Sequence, residues 1–584
     1  MTATKARRVR KAGPGRGARG RGGPDRLADV ARGGTLNLAG AAVAAVSAVA
    51  ITVLITRHFS KPAAGAFFTA ISLFLIVEAA ASLGAYVGAV NFIARLRRLG
   101  HDWRIPAILR TAIIPVTAVS VTAAVILLLL AGPLAQTLLS SHLGPAGASP
   151  VVVADALRAL AVALPFAALS DTLLGATRGY RDMRPTVVID RLGRSGGQLL
   201  GVIVAALTGS VALLAPLWAL PYVLAAAAGV FWLRRIRRSQ RPHAEPSQAD
   251  PAKETGRTAT PAEPPADPRS AGAGLGNATF SGFWRFTAPR ALANLGQITI
   301  QRVDIVLVAI MRGLAAAAIY TAATRFLVAG QFANSALNMA AQPRFAELFA
   351  VDDRRGASVV YQASTAWLIL LTWPLYLLAV IYGPEILSVF GHSYRAGHVV
   401  MIILGVTMLV ATACGQVDMV LITTGRSSWS LANGLMAVLV NVGLDLLLIP
   451  RYGIAGAAIG WAAAIGVANL TPLIQLMVVT RLHPFGLGTL TASSLAVVSF
   501  AAIPLAARAV LGEGAAVSAG AVAAGCAVTA AGLWWFRGPL RLSALPGLSR
   551  LGQSRSHGRW SRGRGSAGPQ RSPADQRTWG GQRS

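Results

Sequence analysis

ITVLITRHFSKPAAGAFFTAISLFLIVEAA, residues 51–80, decides the fold. It holds the end of one apolar run, the short break Arg57-His58-Phe59-Ser60-Lys61, and the start of a second run with one carboxylate, Glu78, inside it. Upstream, the first run reaches back to Leu36. At about 1.5 Å rise per residue, twenty apolar residues cross the ~30 Å hydrocarbon core of a bilayer. A break this short cannot hold a domain, so the segment reads as a hairpin of two membrane helices. Only helices or closed barrels satisfy their backbone polar groups inside lipid, and runs of this length specify helices.

The same alternation continues in both directions. Apolar stretches lie near 35–56, 63–94, 106–131, 151–174, 186–208 and 211–233, then near 286–311, 315–343, 360–382, 398–424, 428–449, 453–478, 487–510 and 515–536. The chain therefore reads as an all-α polytopic membrane protein of about 14 transmembrane helices, six before a polar break and eight after it. Composition agrees: 54% of the 584 residues are hydrophobic, 13% are charged, and the mean hydropathy is +0.56. Such values lie outside the range of soluble domains.

A formal charge of +32 would ordinarily suggest a nucleic-acid partner. Here it reports topology, and no nucleic acid is expected. By the positive-inside rule, Lys and Arg should collect in every second loop. Forty-two of the 54 basic residues fall in segments of one side: the N-terminal tail, 95–110, 178–184, 234–285, 344–355, Arg426, Arg481 and the C-terminal tail. The loops of the other side hold five: Arg57, Lys61, Arg312, Arg395 and Arg451. An even number of spans with both termini cytoplasmic follows, in a bacterial plasma membrane. Four Lys against 50 Arg is what GC-rich coding would produce, which removes weight from the Arg-rich tails as binding motifs. The basic run before the first span is too long, and the span itself too long, for a cleaved signal peptide. Cys414 and Cys526 sit in apolar stretches without metal or redox spacing and read as packing residues.

These features divide the chain into a disordered basic tail (1–33), a first lobe (34–233), a disordered Pro/Ala/Glu/Arg linker (234–284), a second lobe (285–480), two further helices (481–536) and a second disordered tail (537–584). The lobes echo each other weakly. Ile55-Thr56-Arg57 followed by Ala66-Phe67-Phe68-Thr69-Ala70 matches Ile310-Met311-Arg312 followed by Ala318-Ile319-Tyr320-Thr321-Ala322. An even number of helices separates the copies, so the repeats are parallel.

Three stretches of the second half carry a family resemblance: Val303-Asp304-Ile305-Val306-Leu307 with Ala318 through Phe326, then Phe390-Gly391-His392-Ser393-Tyr394-Arg395-Ala396, then Asn441-Val442-Gly443-Leu444-Asp445 leading through Ile449-Pro450-Arg451-Tyr452-Gly453 to Ala458. In order and helix count, residues 30–510 resemble the polysaccharide-exporter branch of the multidrug/oligosaccharidyl-lipid/polysaccharide superfamily. The resemblance implies two six-helix lobes related by a pseudo-two-fold axis, a cavity lined by helices one, two, seven and eight, and alternating access by rocking of the lobes. It implies a transporter, not an enzyme, that flips polyprenyl-pyrophosphate-linked oligosaccharide for cell-surface polysaccharide or lipopolysaccharide synthesis. Membrane lipids and a polysaccharide polymerase or other synthesis proteins are the partners it implies. A lipid II flippase and a cation-coupled multidrug exporter of the same superfamily remain as alternatives.

A charge at mid-helix costs about 2.5–3.5 kcal/mol on insertion scales and usually faces a bundle interior or wet cavity. Glu78 on the second span, Arg290, Arg302 and Asp304 on the seventh and Arg325 on the eighth all fall on helices that the resemblance assigns to the cavity. Arg offers a permanently charged fork that grips phosphate oxygens, so Arg290 and Arg325 are the leading candidates for the substrate phosphates. Each has a plainer reading. Arg325 could pair with Glu78 or Asp304, Arg302 and Asp304 could pair or snorkel to the interface, and Arg290 could touch lipid headgroups. Glu78 could carry a coupling proton; whether a proton or cation drives transport is open, and no cofactor is expected. Asp155 and Arg158, three apart, should neutralise each other locally. Asp418 and Asp445 read as packing or capping contacts, with cation binding the lesser option. Pro289, Pro374 and Pro472 mark places where helices can bend.

Overall fold

In the computed structural model, the described residues are 24–140, 150–239 and 280–540. The two tails beyond them, residues 141–149 and most of the linker lie outside the described residues. Among the described residues all regular structure is helical. The first group comprises α1 (Pro24–His58), α2 (Lys61–Ala81), α3 (Ala85–Arg98), α4 (Ile105–Ser140), α5 (Pro150–Gly179), α6 (Ser195–Thr208) and α7 (Val211–Ser239). The second comprises α8 (Phe280–Arg312), α9 (Leu314–Ala350), α10 (Arg354–Ile381), α11 (Gly383–Ser388), α12 (His398–Ala413), α13 (Val417–Thr423), α14 (Ser427–Tyr452) and α15 (Ile454–Thr480). α16 (Leu487–Val497), α17 (Ile503–Leu511) and α18 (Ala515–Trp535) follow.

Among the described residues, eleven helices are long and apolar enough to cross a membrane. The other three anticipated spans are helical as well, for identifiable reasons of composition. α1 starts at Pro24, inside the stretch assigned to the basic tail, and contains the apolar stretch Ala42–His58. The fifth span is a π-helix, Thr186–Arg194, running into α6 and carrying three charges. α9 carries Arg325, Gln331, Asn334 and Asn338 among its apolar residues. Leu129, Leu207 and Val510 are 74%, 82% and 81% exposed, the apolar exterior expected where lipid is the solvent.

Caps and breaks follow local chemistry. α2 starts where the Ser60 hydroxyl accepts from the Ala63 amide at 3.4 Å, with Pro62 in the first turn. It stops at Leu83 and Gly84, both left-handed with φ of 49° and 61°, and α3 restarts the same span. A Cβ at Gly84 would lie 2.9 Å from the Ala291 Cα, so the break lets α8 approach backbone to backbone.

Helices of each group pack on one another, and the groups meet where α2 packs on α8 and α9. α8 is shared between them. Near its start, Phe283 is fully buried in a core with Ala89, Phe92, Ile93 and Leu96 of α3. Its later part packs on α9, α14 and α15. Pro289, which cannot donate a helix hydrogen bond, separates the two parts. The repeat-related arginines have diverged. Arg57 donates across the groups to the carbonyls of Val389 at 2.7 Å and Ser388 at 3.1 Å. Arg312 donates within its own group to the carbonyls of Ile449 at 2.9 Å and of Pro450.

Candidate functional site

α8 and α9 bring two arginines together. Arg302 and Arg325 are half-buried among the helices, and Arg325 lies in the field of Arg302. The Arg325 guanidinium stands 6.0 Å over the Phe68 ring of α2, and Arg302 lies within electrostatic range of Tyr222 on α7. The pair is thus faced by the first group and carried by the second. Among the described residues neither forms an ion pair, and both Nε atoms are buried without a hydrogen-bond partner. Two like charges in a low-dielectric setting without a counter-charge are costly, and an anion between them relieves both desolvation and repulsion.

Asp304 is not the partner of Arg302. Two residues apart on a helix point about 200° apart, and Asp304 turns into the second group. Tyr320 Oη donates to its Oδ2 at 2.6 Å, and its carboxyl lies in the field of that of Asp445. Asn441, one turn before Asp445 on α14, donates to the Asp445 Oδ2 at 3.3 Å. Asp304, Asn441 and Asp445 are all buried, and each keeps an Oδ1 without a partner. Gly460 on α15 leaves the room Asp445 occupies, since a Cβ there would strike its carboxylate. Two buried carboxyl groups in each other's field repel if both are ionised, and a proton or a cation between them relieves that repulsion; an all-oxygen set suits either.

Glu78 does not reach Arg325 or Asp304. It lies in a second cluster wholly within the first group, in the field of Asp171 on α5 and of Arg194. The π-helix sets Asp190 and Arg194 against each other: Arg194 donates to Asp190 Oδ1 at 2.7 Å and reaches Gln198 Oε1 and the Tyr222 hydroxyl at 3.4 Å each. Its guanidinium lies 5.2 Å from the Tyr222 ring centre. Wide turns of this kind are rare and cluster at functional sites. Asp171 and Asp190 escape a reading by hydropathy, although the i, i+4 spacing of Asp190 with Arg194 signals a shared face.

Arg290 stands apart from these groups. It is exposed, donates to the Phe286 carbonyl at 2.8 Å and lies 3.8 Å from the centre of the Phe286 ring. Twelve residues separate it from Arg302, roughly 18 Å along the axis. The arginine that joins Arg325 is Arg302. Asp155 and Arg158 form the expected local pair at 2.8 Å, exposed on α5.

The MatE family matches residues 289–447, from within α8 into α14. Among solved structures, a lipid II flippase, MurJ, in an inward closed conformation is 12% identical, with 85% of this chain and 97% of that chain covered at a TM-score of 0.62. An inward-facing multidrug resistance MATE family transporter of the MOP superfamily is 14% identical, with 75% and 96% covered at 0.56. An outward-facing structure of the same description reaches 0.50 at 15% identity, with 78% and 95% covered. The fold is that of the MOP-superfamily transporters. No curated protein matches the chain in sequence. Within this MOP fold, the arginine pair lies where the two groups face each other, and each carboxylate cluster lies inside one group.

Proposed function

We propose that the protein flips polyprenyl-pyrophosphate-linked oligosaccharide across the plasma membrane by alternating access, both termini cytoplasmic, with Arg302 and Arg325 gripping the pyrophosphate. One observation carries this reading: two adjacent arginines between the groups with no counter-charge among the described residues. Pyrophosphate supplies clustered negative charge and acceptor oxygens in the geometry a guanidinium fork prefers. The Asp304–Asp445 pair is the proposed seat of the coupling proton or small cation, because it is buried in the group that carries both arginines. Since α8 belongs to both cores, opening the cavity on either side requires it to flex near Pro289.

A cation-coupled drug exporter is the reading that the carboxyl pair favours on its own, and the two make opposite demands on the substrate's charge. Reconstitution in liposomes with a fluorescent polyprenyl-pyrophosphate disaccharide, lipid II and an amphipathic cationic dye separates them. Protein-dependent transfer of a pyrophosphate lipid is expected. Transfer of the dye alone would overturn the proposal.

A further inference from the structure

A chamber opens within the second group, near the arginine pair along α8 and α9. Its volume is about 450 Å³, within the ~300–1,000 Å³ typical of small-molecule sites. Six amide side chains line it: Gln297 and Gln301 from α8, Gln331 and Asn334 from α9, Asn433 from α14 and Asn469 from α15. Trp461 supplies an aromatic wall, and Asp418 is the single charged residue in the lining among the described residues.

Amides both donate and accept, as sugar hydroxyls do, and they bury at far lower cost than charges. Some of these amides are already held in place. Asn433 and Gln475 exchange two hydrogen bonds at 2.8 and 3.1 Å, and the Asn469 amide donates to the Ile465 carbonyl at 2.9 Å. Asn334 Oδ1 is buried with no partner at all, an acceptor whose desolvation is uncompensated until something donates to it. A site for an amphipathic cation would concentrate acids and aromatic faces. This one offers amides, one indole and a single carboxylate, with Ser430 also in the lining.

The chamber's lining approaches the arginines in sequence on both helices that carry them, although neither arginine lines it. Gln301 immediately precedes Arg302, and Gly330, also in the lining, follows Arg325 by five residues, roughly 7.5 Å along the axis. A sugar attached to a pyrophosphate held by the pair has this chamber beside it. We propose that the chamber is a glycan subsite, which takes the neutral, hydroxyl-rich sugars nearest the pyrophosphate while the arginines hold the phosphates. The proposal rests on the pyrophosphate reading of the arginine pair.

The test compares two probes on the full-length protein in nanodiscs: a bare polyprenyl pyrophosphate, and the same lipid carrying a neutral N-acetylhexosamine disaccharide. The wild type should bind the disaccharide lipid about tenfold more tightly than the bare one. Asn334→Ala combined with Gln301→Ala should erase most of that difference and leave bare-lipid affinity within about twofold. Trp461→Phe should keep the difference and Trp461→Ala reduce it. Equal affinity of the wild type for the two probes would overturn the subsite, whatever the variants do. So would equal losses for both probes in chamber variants that melt like the wild type, or dye binding that displaces the disaccharide lipid and vanishes in Asp418→Asn. Arg302→Ala and Arg325→Ala should weaken both probes. If they weaken neither, the pyrophosphate reading fails, and the wild-type difference still judges the chamber.

Discussion

The first group of helices ties a buried arginine to a carboxylate of its own; the second leaves two arginines without one among the described residues. In the first, Arg194 is tied to Asp190 at 2.7 Å and shares its surroundings with Glu78, Asp171 and Tyr222. In the second, Arg302 and Arg325 face Tyr222 and Phe68 of the first group without a carboxylate, while Asp304 and Asp445, which could have balanced them, lie in each other's field instead. Opposite charges that could pair are held apart on one helix by a spacing of two residues. A paired arginine stabilises a bundle, whereas an arginine pair set apart from its carboxylates leaves one place suited to an anion and another to a proton or cation. On the proposed function, ligand exchange belongs to the second group.

Stability measurements can break this contrast. Arg194→Met leaves Asp190 with only the looser Arg191 contact at 3.6 Å and should cost about 1.5–3 kcal/mol, read as a fall in melting temperature in detergent. Asp190→Asn added to it should recover part of the loss. Arg325→Met should do the reverse, raising stability by about 1 kcal/mol because it removes a charge with no counter-charge. A large destabilisation there would mean that Arg325 has an internal partner. Neutralising the exposed Asp155–Arg158 pair should change stability by less than about 0.5 kcal/mol, the usual scale for a screened surface pair.

Much of this fold was legible in the chain because lipid imposes a length and a polarity on every span, and loop charge alternates with them. The local pair Asp155–Arg158 was legible for the same reason as any i, i+3 spacing: the helix itself brings the residues together. Other features were hidden. Hydropathy cannot register the break at Leu83 and Gly84, which changes backbone angles while leaving the span apolar. Glu78 was open to pairing with Arg325 because periodicity says which face a residue occupies and nothing about which helix meets that face; Asp171 and Arg194 stand on helices far along the chain. The opposed directions of Arg302 and Asp304 were available from their spacing alone, as was the shared face of Asn441 and Asp445. The choice of Arg302 over Arg290 beside Arg325 depended on how far along α8 the two groups face each other.

The most direct test of the account is the transfer rate of a fluorescent polyprenyl-pyrophosphate disaccharide in liposomes containing wild type, Arg302→Ala, Arg325→Ala or Arg290→Ala at matched protein content. Loss of one charge-assisted phosphate contact, about 1.5–3 kcal/mol, predicts a fall of roughly ten- to hundredfold for Arg302→Ala and for Arg325→Ala. Arg290→Ala should stay within about twofold. Wild-type rates in both Arg302→Ala and Arg325→Ala would contradict the phosphate clamp.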